Sequence, residues 1–314
     1  MKSALILGCN GQDGKIISDQ LRQDHYRLLG LDIGTSKADG FTWDQPVDIQ
    51  NSTAIQNVIR SFRPDEVYFL AAFHQSSEDA PLDNLTLFQS SYQINVLALN
   101  NVLEGIRLLA PQTRLFYAAS SLIFGSTDTD IQDENTPFNP DSIYGITKLA
   151  GLQICRYYRK HYSLFAASGI LYNHESIYRS DRFLSMKIIK GALNIKNGKQ
   201  DKLVLGDLHA EVDWGYAPDY TKAMRLILGL SQPADYIIAT GKKYSVLDFV
   251  KITFDCLGLN WQDYVIEDKK VITRTIRPLV GNPKKLVAAA GWKPTVDFVQ
   301  MIKQLLKEQE ALNR

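Results

Sequence analysis

A glycine-rich turn between an apolar strand and a helix is the feature of this sequence that most constrains its fold. Residues 3–7 are apolar in the manner of a buried parallel strand, and a helical pattern follows the turn. The turn carries Gly8, Gly11 and Gly14 in a GxxGxxG spacing. Glycines let a backbone approach a pyrophosphate, and a helix N-terminus offers unpaired N–H groups. The segment predicts a dinucleotide-binding turn, with an ordinary strand-to-helix turn as the alternative. The expected contacts are Gly8, Asn10, Gly11, Gln12, Asp13 and Gly14.

Asp32 closes a second apolar strand, residues 26–31, roughly 20 residues after the turn. A carboxylate at this position can accept hydrogen bonds from the hydroxyls of an adenosine ribose. A 2′-phosphate would favour arginine instead, and residues 34–37 offer only Lys37 as a cation. The pattern therefore predicts NAD as the cofactor in preference to NADP. The alternative is that Asp32 only begins a turn.

Apolar strands alternate with helical patterns through the first half of the chain. Strands are predicted at residues 47–49, 66–72 and 114–119, and helices at 52–62, 92–109 and 144–161. Five strand–helix alternations predict an α/β fold with a doubly wound parallel sheet, whose ligands lie at the carboxyl ends of the strands. Asp48 stands at such an end and either faces the adenine or caps the next helix. Ala71 stands at another, and its small side chain would let the backbone lie against a flat cofactor ring.

A serine, a tyrosine and a lysine form the candidate catalytic set. Ser120 and Ser121 end a strand, and Tyr144 and Lys148 lie four residues apart at the start of a helix, hence on one helical face. A tyrosine acting as a base near pH 7 needs its pKa lowered by about three units, or about 4 kcal/mol. The electrostatic attraction of one cation about 4 Å away supplies about that free energy at an effective dielectric constant of about 20. We therefore expect Lys148 to lower the pKa of Tyr144, and Ser120 to orient the reacting oxygen.

The composition is that of an ordinary soluble globular protein. The 314 residues are 45% hydrophobic and 22% charged, with a formal charge of +1, so no global field favours nucleic acid or a membrane. Three cysteines without a CxxC pair indicate reduced thiols, and the histidines show no metal-ligand spacing. The N-terminus does not resemble a signal peptide and no apolar run reaches spanning length, so we expect a cytoplasmic protein without a metal.

The glycine turn, the Ser…Tyr-x-x-x-Lys set and residues 291–294 (Gly-Trp-Lys-Pro) together resemble the extended short-chain dehydrogenase/reductase superfamily. Within it, the chain is similar to the GDP-mannose 4,6-dehydratases. The similar segments are Gly-Gln-Asp-Gly at 11–14, Gly-Ile-Leu-Tyr-Asn-His-Glu-Ser at 169–176, Asp-Trp-Gly at 213–215 with Asp219-Tyr220, and Ala-Thr-Gly at 239–241 with Tyr-Ser-Val at 244–246.

The resemblance implies a Rossmann domain and a smaller C-terminal α/β lobe, with a GDP-linked sugar bound between them. It places the Rossmann domain at residues 1–171, with 213–241 returning to it, and the substrate lobe at 172–212 and 242–314. The substrate contacts that it implies are Ser121, Asn173, Lys187 and Arg274, with Arg277 as the alternative to Arg274. It also implies a homodimer or tetramer formed through helices 95–109 and 144–161.

The chain departs from this resemblance at three positions. The dehydratases carry Thr-Ser-Glu at the strand end, and that Glu removes a proton next to the keto group, whereas this chain has Leu122. Val212 stands where the dehydratases carry Arg before Asp-Trp-Gly, and Asp32 favours NAD where they commonly prefer NADP. Hydride transfer survives these changes, but elimination loses its base. Glu78, Asp79, Glu175 and Asp181 are the carboxylates that would have to replace it.

We therefore expect NAD-dependent hydride transfer at the 4-position of a nucleotide-diphosphate sugar, without dehydration. A functional GDP-mannose 4,6-dehydratase is one alternative, and a non-catalytic NAD-binding sensor or scaffold is another.

Overall fold

The computed structural model describes residues 1–33, 47–74, 82–268 and 278–312, and the backbone of residues 35–38. The strands are β1 Ser3–Leu7, β2 Arg27–Asp32, β3 Thr35–Ala38, β4 Glu66–Phe69, β5 Arg114–Ser120, β6 Ala166–Leu171, β7 Asn173–Glu175, β8 Leu203–Leu205, β9 Glu211–Val212, β10 Trp214–Tyr216, β11 Asp235–Ile238, β12 Tyr244–Ser245 and β13 Val265–Glu267.

The helices are α1 Gln12–Gln23, α2 Ser52–Phe62, α3 Asn84–Tyr92, α4 Ala98–Leu109, α5 Ile143–Tyr162, α6 Leu184–Lys196, α7 Ala217–Leu228, α8 Val246–Cys256, α9 Lys284–Ala290 and α10 Phe298–Leu312. A π-helical turn, Gln93–Leu97, joins α3 to α4, and 3₁₀ turns occupy Ser121–Ile123 and Trp261–Asp263. Among the described residues, no helix has the length and apolar character that crossing a bilayer requires.

The central sheet has the order β11-β6-β5-β4-β1-β2-β3, in which every strand except the antiparallel edge strand β3 is parallel to its neighbours. The predicted doubly wound α/β fold is confirmed. From β1 the chain continues to β2 and β3 on one side of β1, and it then returns to β4 on the other side. The switch point of the sheet therefore lies between the carboxyl ends of β1 and β4, where ligands of such sheets bind.

Helices cover both faces of the sheet and bury its apolar strands. Ile55 on α2, Val102 on α4 and Leu152 on α5 are fully buried in the core of one face. Ile17 on α1 and Met224 on α7 are fully buried in the core of the other. Since both faces are covered, the strands can be apolar along their whole length, as the sequence indicated.

A third core lies away from the sheet, in the C-terminal part of the chain. It joins α6, α8 and α10 around the buried side chains of Ile189, Phe249 and Ile302, and Trp214 packs against Phe249 and Phe298 there. Short strand pairs flank it: β7 with β10, β8 with β13, and β9 with β12.

Three local expectations are wrong. Residues 47–49 form no strand, whereas residues 35–38, where no strand was predicted, form β3. The strand expected at 66–72 ends at Phe69, which is the last residue that pairs with both β1 and β5. The helix expected from residue 92 begins at Asn84, capped by the Asp83 side chain, which accepts from the Thr86 N–H.

Candidate active site

The glycine turn is packed so tightly that side chains cannot replace two of its glycines. Gly8 has φ = 90°, and a Cβ built on it would lie 2.8 Å from the backbone nitrogen of Ala71. A Cβ on Gly14 would lie 2.2 Å from the Gly8 carbonyl oxygen. The structure therefore brings Gly8, Gly14 and Ala71 together at the switch point of the sheet, and it leaves the backbone at position 11 exposed at the start of α1.

Asp32 lies directly beside this turn. One carboxylate oxygen accepts from the Asn10 N–H at 2.7 Å, and the other accepts from the Ile33 N–H at 2.8 Å. A carboxylate offers about four lone-pair sites, so acceptor capacity remains for a ribose hydroxyl. Sequence reasoning missed the contact with Asn10, through which Asp32 also fixes the shape of the turn.

The Asp13 carboxylate makes a contact that was not expected of a cofactor residue. His174 Nε2 lies 3.1 and 3.0 Å from its two oxygens, and His174 Nδ1 lies 2.7 Å from the carbonyl oxygen of Tyr172. Both ring nitrogens face acceptors, so both must carry hydrogen, which is the imidazolium form. Burial opposes this charge, but the Asp13 carboxylate outweighs it and raises the pKa of His174.

Gln12 adds a second contact between the turn and β7. Its side-chain nitrogen donates to the His174 carbonyl oxygen at 3.0 Å, and its side-chain oxygen accepts from the Ser176 hydroxyl at 2.9 Å. The cofactor turn and the segment that leads into the C-terminal lobe are thus joined by two neighbouring side chains. Contacts between residues so distant in the sequence leave no local sequence pattern from which they could be predicted.

Tyr144 and Lys148 lie together in the first turns of α5. The helix begins at the Ser142 cap, whose hydroxyl accepts from the Gly145 N–H at 3.1 Å. The Lys148 ammonium is buried, donates to the Ala118 carbonyl oxygen at 2.8 Å and lies 5.6 Å from the centre of the Tyr144 ring. The predicted neighbours therefore share one face of the helix, directly over β5.

The pKa of Tyr144 moves in the direction opposite to the one expected. Burial raises the pKa of the Tyr144 phenol to about 12, and burial lowers the pKa of Lys148 to about 7. Desolvation penalises the charged form of each group, and it outweighs the opposing charges of Arg179 on the Tyr144 phenol and of Asp13 on the Lys148 ammonium. The polypeptide by itself therefore holds a neutral tyrosine beside a lysine that titrates near neutrality.

The strand-end serines lead into a 3₁₀ turn that packs against α5. The Ser120 hydroxyl caps this turn by accepting from the Leu122 N–H at 3.2 Å, and Ser121 is buried. A Cβ built on Gly145 would lie 2.5 Å from the carbonyl oxygen of Leu122. Residue 122 is consequently held next to the helical turn that carries Tyr144.

A row of aromatic and cationic side chains borders Tyr144, and sequence reasoning missed it. The His74 ring meets the Tyr144 ring edge-on at 4.7 Å between centroids and stacks on Phe183 at 5.7 Å. The Arg179 guanidinium lies 3.9 Å from the centre of the Phe183 ring and 3.5 Å from the Glu175 carboxylate. The row forms a wall between β4 and the N-terminus of α6.

Asn95, in the π-helical turn, holds the backbone next to that wall. Its side chain accepts from the Phe73 N–H at 3.0 Å and donates to the Phe73 carbonyl oxygen at 3.3 Å and to the Thr147 hydroxyl at 3.0 Å. A π-turn frequently marks a functional site in a helix. Here it turns a buried amide toward two segments of the candidate site.

The expected substrate contacts are dispersed. Asn173 is exposed at the start of β7, Lys187 is half-buried on α6, and Arg274 lies outside the described residues, as do Arg277, Glu78 and Asp79. Asp48 is exposed and accepts from the Gln50 N–H, and the side chain that caps α2 is Asn51. The alternative of Asp48 as the helix cap is therefore wrong. Where side chains are described, no cluster of His, Cys, Asp and Glu is arranged to hold a metal ion.

Comparison with known protein families gives a match over almost the whole chain: the sequence model of the GDP-mannose 4,6 dehydratase family matches residues 5–305. The chain belongs to this family. The expectation of an extended short-chain dehydrogenase/reductase enzyme is thereby confirmed. GDP-mannose 4,6 dehydratase 2 of Arabidopsis thaliana is 35% identical, with 99% of this chain and 87% of the relative covered. GDP-mannose 4,6-dehydratase of Vibrio cholerae is 30% identical, with 98% and 93% covered.

Two solved structures show the same fold at low identity. RMD from Pseudomonas aeruginosa, complexed with NADPH, has a TM-score of 0.85 at 19% identity and covers 99% of this chain and 100% of its own. UDP-glucose 4-epimerase from Thermus thermophilus, in complex with NAD, has a TM-score of 0.79 at 22% identity, with 98% and 99% covered.

Two segments through which the chain resembles the GDP-mannose 4,6-dehydratases act as internal braces. The Asp213 carboxylate, 1% exposed, accepts from the backbone N–H groups of Thr240, Gly241 and Gly281 and from the Thr240 hydroxyl. The Asp219 carboxylate accepts from Thr295 and Val296, and its carbonyl oxygen accepts from the Trp292 indole. Asp213 thereby joins the residues after β11 to Gly281, and Asp219 fastens the segment around Thr295 to α7.

Proposed function

We propose that the enzyme transfers a hydride between NAD and the 4-position of a GDP-linked, mannose-type sugar, without eliminating water. The outcome would be 4-oxidation, reduction of a 4-keto group or 4-epimerisation. The observation that carries this proposal is Leu122, which lies in the 3₁₀ turn after β5, packs through its carbonyl oxygen against the turn of α5 that carries Tyr144, and has no group that can take a proton. A dehydratase needs a base there in addition to hydride chemistry.

Other described carboxylates near the site are engaged elsewhere. Glu175 is buried, accepts from the Ser185 hydroxyl and pairs with Arg179. Asp181 is exposed and pairs with Lys190 at 3.5 Å. Neither is placed as a substitute base, which supports hydride transfer as the chemistry that remains.

The residues around the switch point fit a dinucleotide. Gly8 and Gly14 allow the close backbone packing of the turn, Gly11 is exposed at the start of α1, and Asp32 stands where a ribose would lie beside the turn. The remaining acceptor capacity of Asp32 and its negative charge favour NAD over NADP. When bound, NAD would supply the hydride acceptor and a positive charge on its nicotinamide ring.

Tyr144 is the group that we assign to move the proton of the 4-hydroxyl. Its raised pKa means that the phenol is neutral in the polypeptide alone, so it serves as an acid directly and as a base only with added positive charge nearby. Lys148, whose pKa is about 7, becomes that charge when it is protonated. Ser120 lies at the adjoining strand end and is assigned to hold the reacting oxygen in line.

The substrate lobe is proposed to be residues 172–212 and 242–314, with 1–171 and 213–241 in the cofactor domain. The separate core around α6, α8 and α10 supports this division. Ser121, Asn173, Lys187 and Arg274 remain the proposed contacts to the nucleotide-diphosphate sugar. A homodimer or tetramer through residues 95–109 and 144–161 is supported by exposed apolar side chains in these segments, Leu97, Leu108, Ile146 and Tyr157.

A functional GDP-mannose 4,6-dehydratase is the second candidate, and the names of the relatives from Arabidopsis thaliana and Vibrio cholerae favour it. The two candidates differ in one product. Incubation with GDP-mannose and NAD, followed by mass spectrometry, should yield a sugar that has lost two hydrogens or is isomeric with the substrate. A product that has lost one water would establish the dehydratase instead.

A Tyr144→Phe variant separates both enzymes from a sensor or scaffold. Loss of the general acid–base should lower turnover by about 10²-fold or more while NADH still binds. Unchanged turnover would remove Tyr144 from the mechanism, and NADH binding without turnover in the wild type would favour the scaffold.

A further inference from the structure

Asp13 places a negative charge at the start of the helix that follows the glycine turn. It lies in the first turn of α1, whose N-cap is Gly11 and which has no side-chain cap. A helix N-terminus attracts an anion through its unpaired N–H groups and its positive dipole end, within about one turn. A carboxylate in that turn competes for the same positive potential and repels a second anion.

The structure cancels this charge with a buried histidine. The Asp13 and His174 side chains are only 17% and 10% exposed, and both Asp13 oxygens lie within hydrogen-bonding distance of His174 Nε2. The Tyr172 carbonyl oxygen fixes the other ring nitrogen as a donor, and the Tyr220 ring stacks on the imidazole at 4.6 Å. The histidine is therefore held in place from three sides.

We propose that His174 is a fixed counter-cation for Asp13, which keeps the N-terminus of α1 available to the pyrophosphate of the cofactor. His174 is then a positioning residue that acts on the cofactor through Asp13 and touches neither reactant. The inference rests on the proposed function, because it requires a dinucleotide at the glycine turn. It also explains why β7, which leads into the C-terminal lobe, is fastened to this turn through Gln12 and Ser176.

The charged groups around His174 define how its effect depends on pH. Asp13 on α1 favours the imidazolium, whereas Arg179, beyond β7, and burial oppose it, and Tyr220 on α7 is neutral. The pKa of His174 is raised, so the counter-charge is complete at low pH and is lost as pH rises through that value. Lys148 titrates near pH 7 and also interacts with Asp13, so it must be separated experimentally.

The test is a set of variants assayed for binding of NADH and of ADP-ribose. His174→Gln leaves the Asp13 carboxylate uncompensated and should weaken both ligands at least about tenfold, or about 1.4 kcal/mol. Adding Asp13→Asn to that variant removes the repulsion and should recover most of the loss. Two exposed positions serve as controls: Asp19→Asn on α1 matches Asp13→Asn, and His209→Gln in the C-terminal lobe matches His174→Gln. Both controls should bind NADH and ADP-ribose as the wild type does. A double variant that binds no better than His174→Gln would overturn the proposal, because a purely structural role predicts no rescue.

If His174→Gln does not fold, the pH dependence of NADH binding tests the proposal instead. NADH affinity of the wild type should fall as pH rises, and this fall should flatten in Asp13→Asn, in which deprotonating His174 uncovers no charge. An equal fall in both proteins would assign it to Lys148 and overturn the inference. Failure of the wild type to bind either ligand would instead overturn the proposed function.

Discussion

The carbonyl oxygen of Leu122 packs on the α-carbon of Gly145, one residue after Tyr144, so closely that an added Cβ would lie 2.5 Å from it. The 3₁₀ turn that follows β5 thereby packs against the first turn of α5, so residue 122 and the tyrosine are neighbours in the fold. We expect a base at position 122 to act beside Tyr144, and the leucine removes that possibility.

Leu122→Glu should introduce water loss. Incubated with GDP-mannose and NAD, this variant is expected to form a product lighter by one water, because the new carboxylate can take a proton next to a 4-keto group. Leu122→Gln has a similar size without the base and should not form it. Mass spectrometry of the sugar nucleotide gives the comparison. Equal water loss in the wild type would show that position 122 is not where elimination is decided.

Lys148 should make the folded protein more stable as pH rises. Its pKa is about 7 when folded and near 10.5 when unfolded, so between these values the unfolded chain holds one more proton. Stability then increases with pH, by about 1.4 kcal/mol per unit for one group. Urea unfolding of the ligand-free wild type and of Lys148→Met, from pH 7 to pH 9.5, should show their difference in unfolding free energy growing in favour of the wild type. A constant difference would mean that Lys148 stays protonated in the fold.

Asp213→Asn should destabilise the protein by about 2–4 kcal/mol. The carboxylate accepts four hydrogen bonds, and an amide turns one accepting oxygen into a donor that faces other donors. Urea unfolding measures the loss, and Asp201→Asn, at an exposed position, is the matched control. Equal stability of the two variants would contradict the bracing role of Asp213.

Asp32→Asn should relax the choice between cofactors. The carboxylate repels a 2′-phosphate, so its removal is expected to lower the ratio of the NADPH and NADH dissociation constants by about tenfold. Fluorescence titration of both cofactors provides the ratio, with Asp255→Asn as an exposed control. An unchanged ratio would assign Asp32 only to the shape of the turn, through its contact with Asn10.

Local periodicity and residue spacing were sufficient to predict the sheet, the glycine turn and the proximity of Tyr144 and Lys148. These features arise within a few residues of each other or repeat along the chain. The strand β3 was missed because its pairing partner, β2, determines it more than its own composition does. Tertiary context routinely overrides propensity in such edge strands.

The contacts made by Asp13 could not be predicted from the sequence, because they join segments that only the fold brings together. The same holds for the wall formed by His74, Phe183 and Arg179. The pKa of Tyr144 was predicted in the wrong direction because spacing reveals the neighbouring cation but not the extent of burial. Desolvation depends on everything packed around the phenol.

The π-helical turn at Gln93–Leu97 makes the chain length in this region part of the site. A π-turn holds one residue more than the α-helical turn that it replaces. Deleting one residue there would convert the π-turn into a regular α-helical turn, which keeps α3 and α4 in phase but changes the directions of the side chains within the turn. Asn95 would then no longer meet both Phe73 and Thr147, so this short segment should tolerate side-chain substitution far better than a change in length.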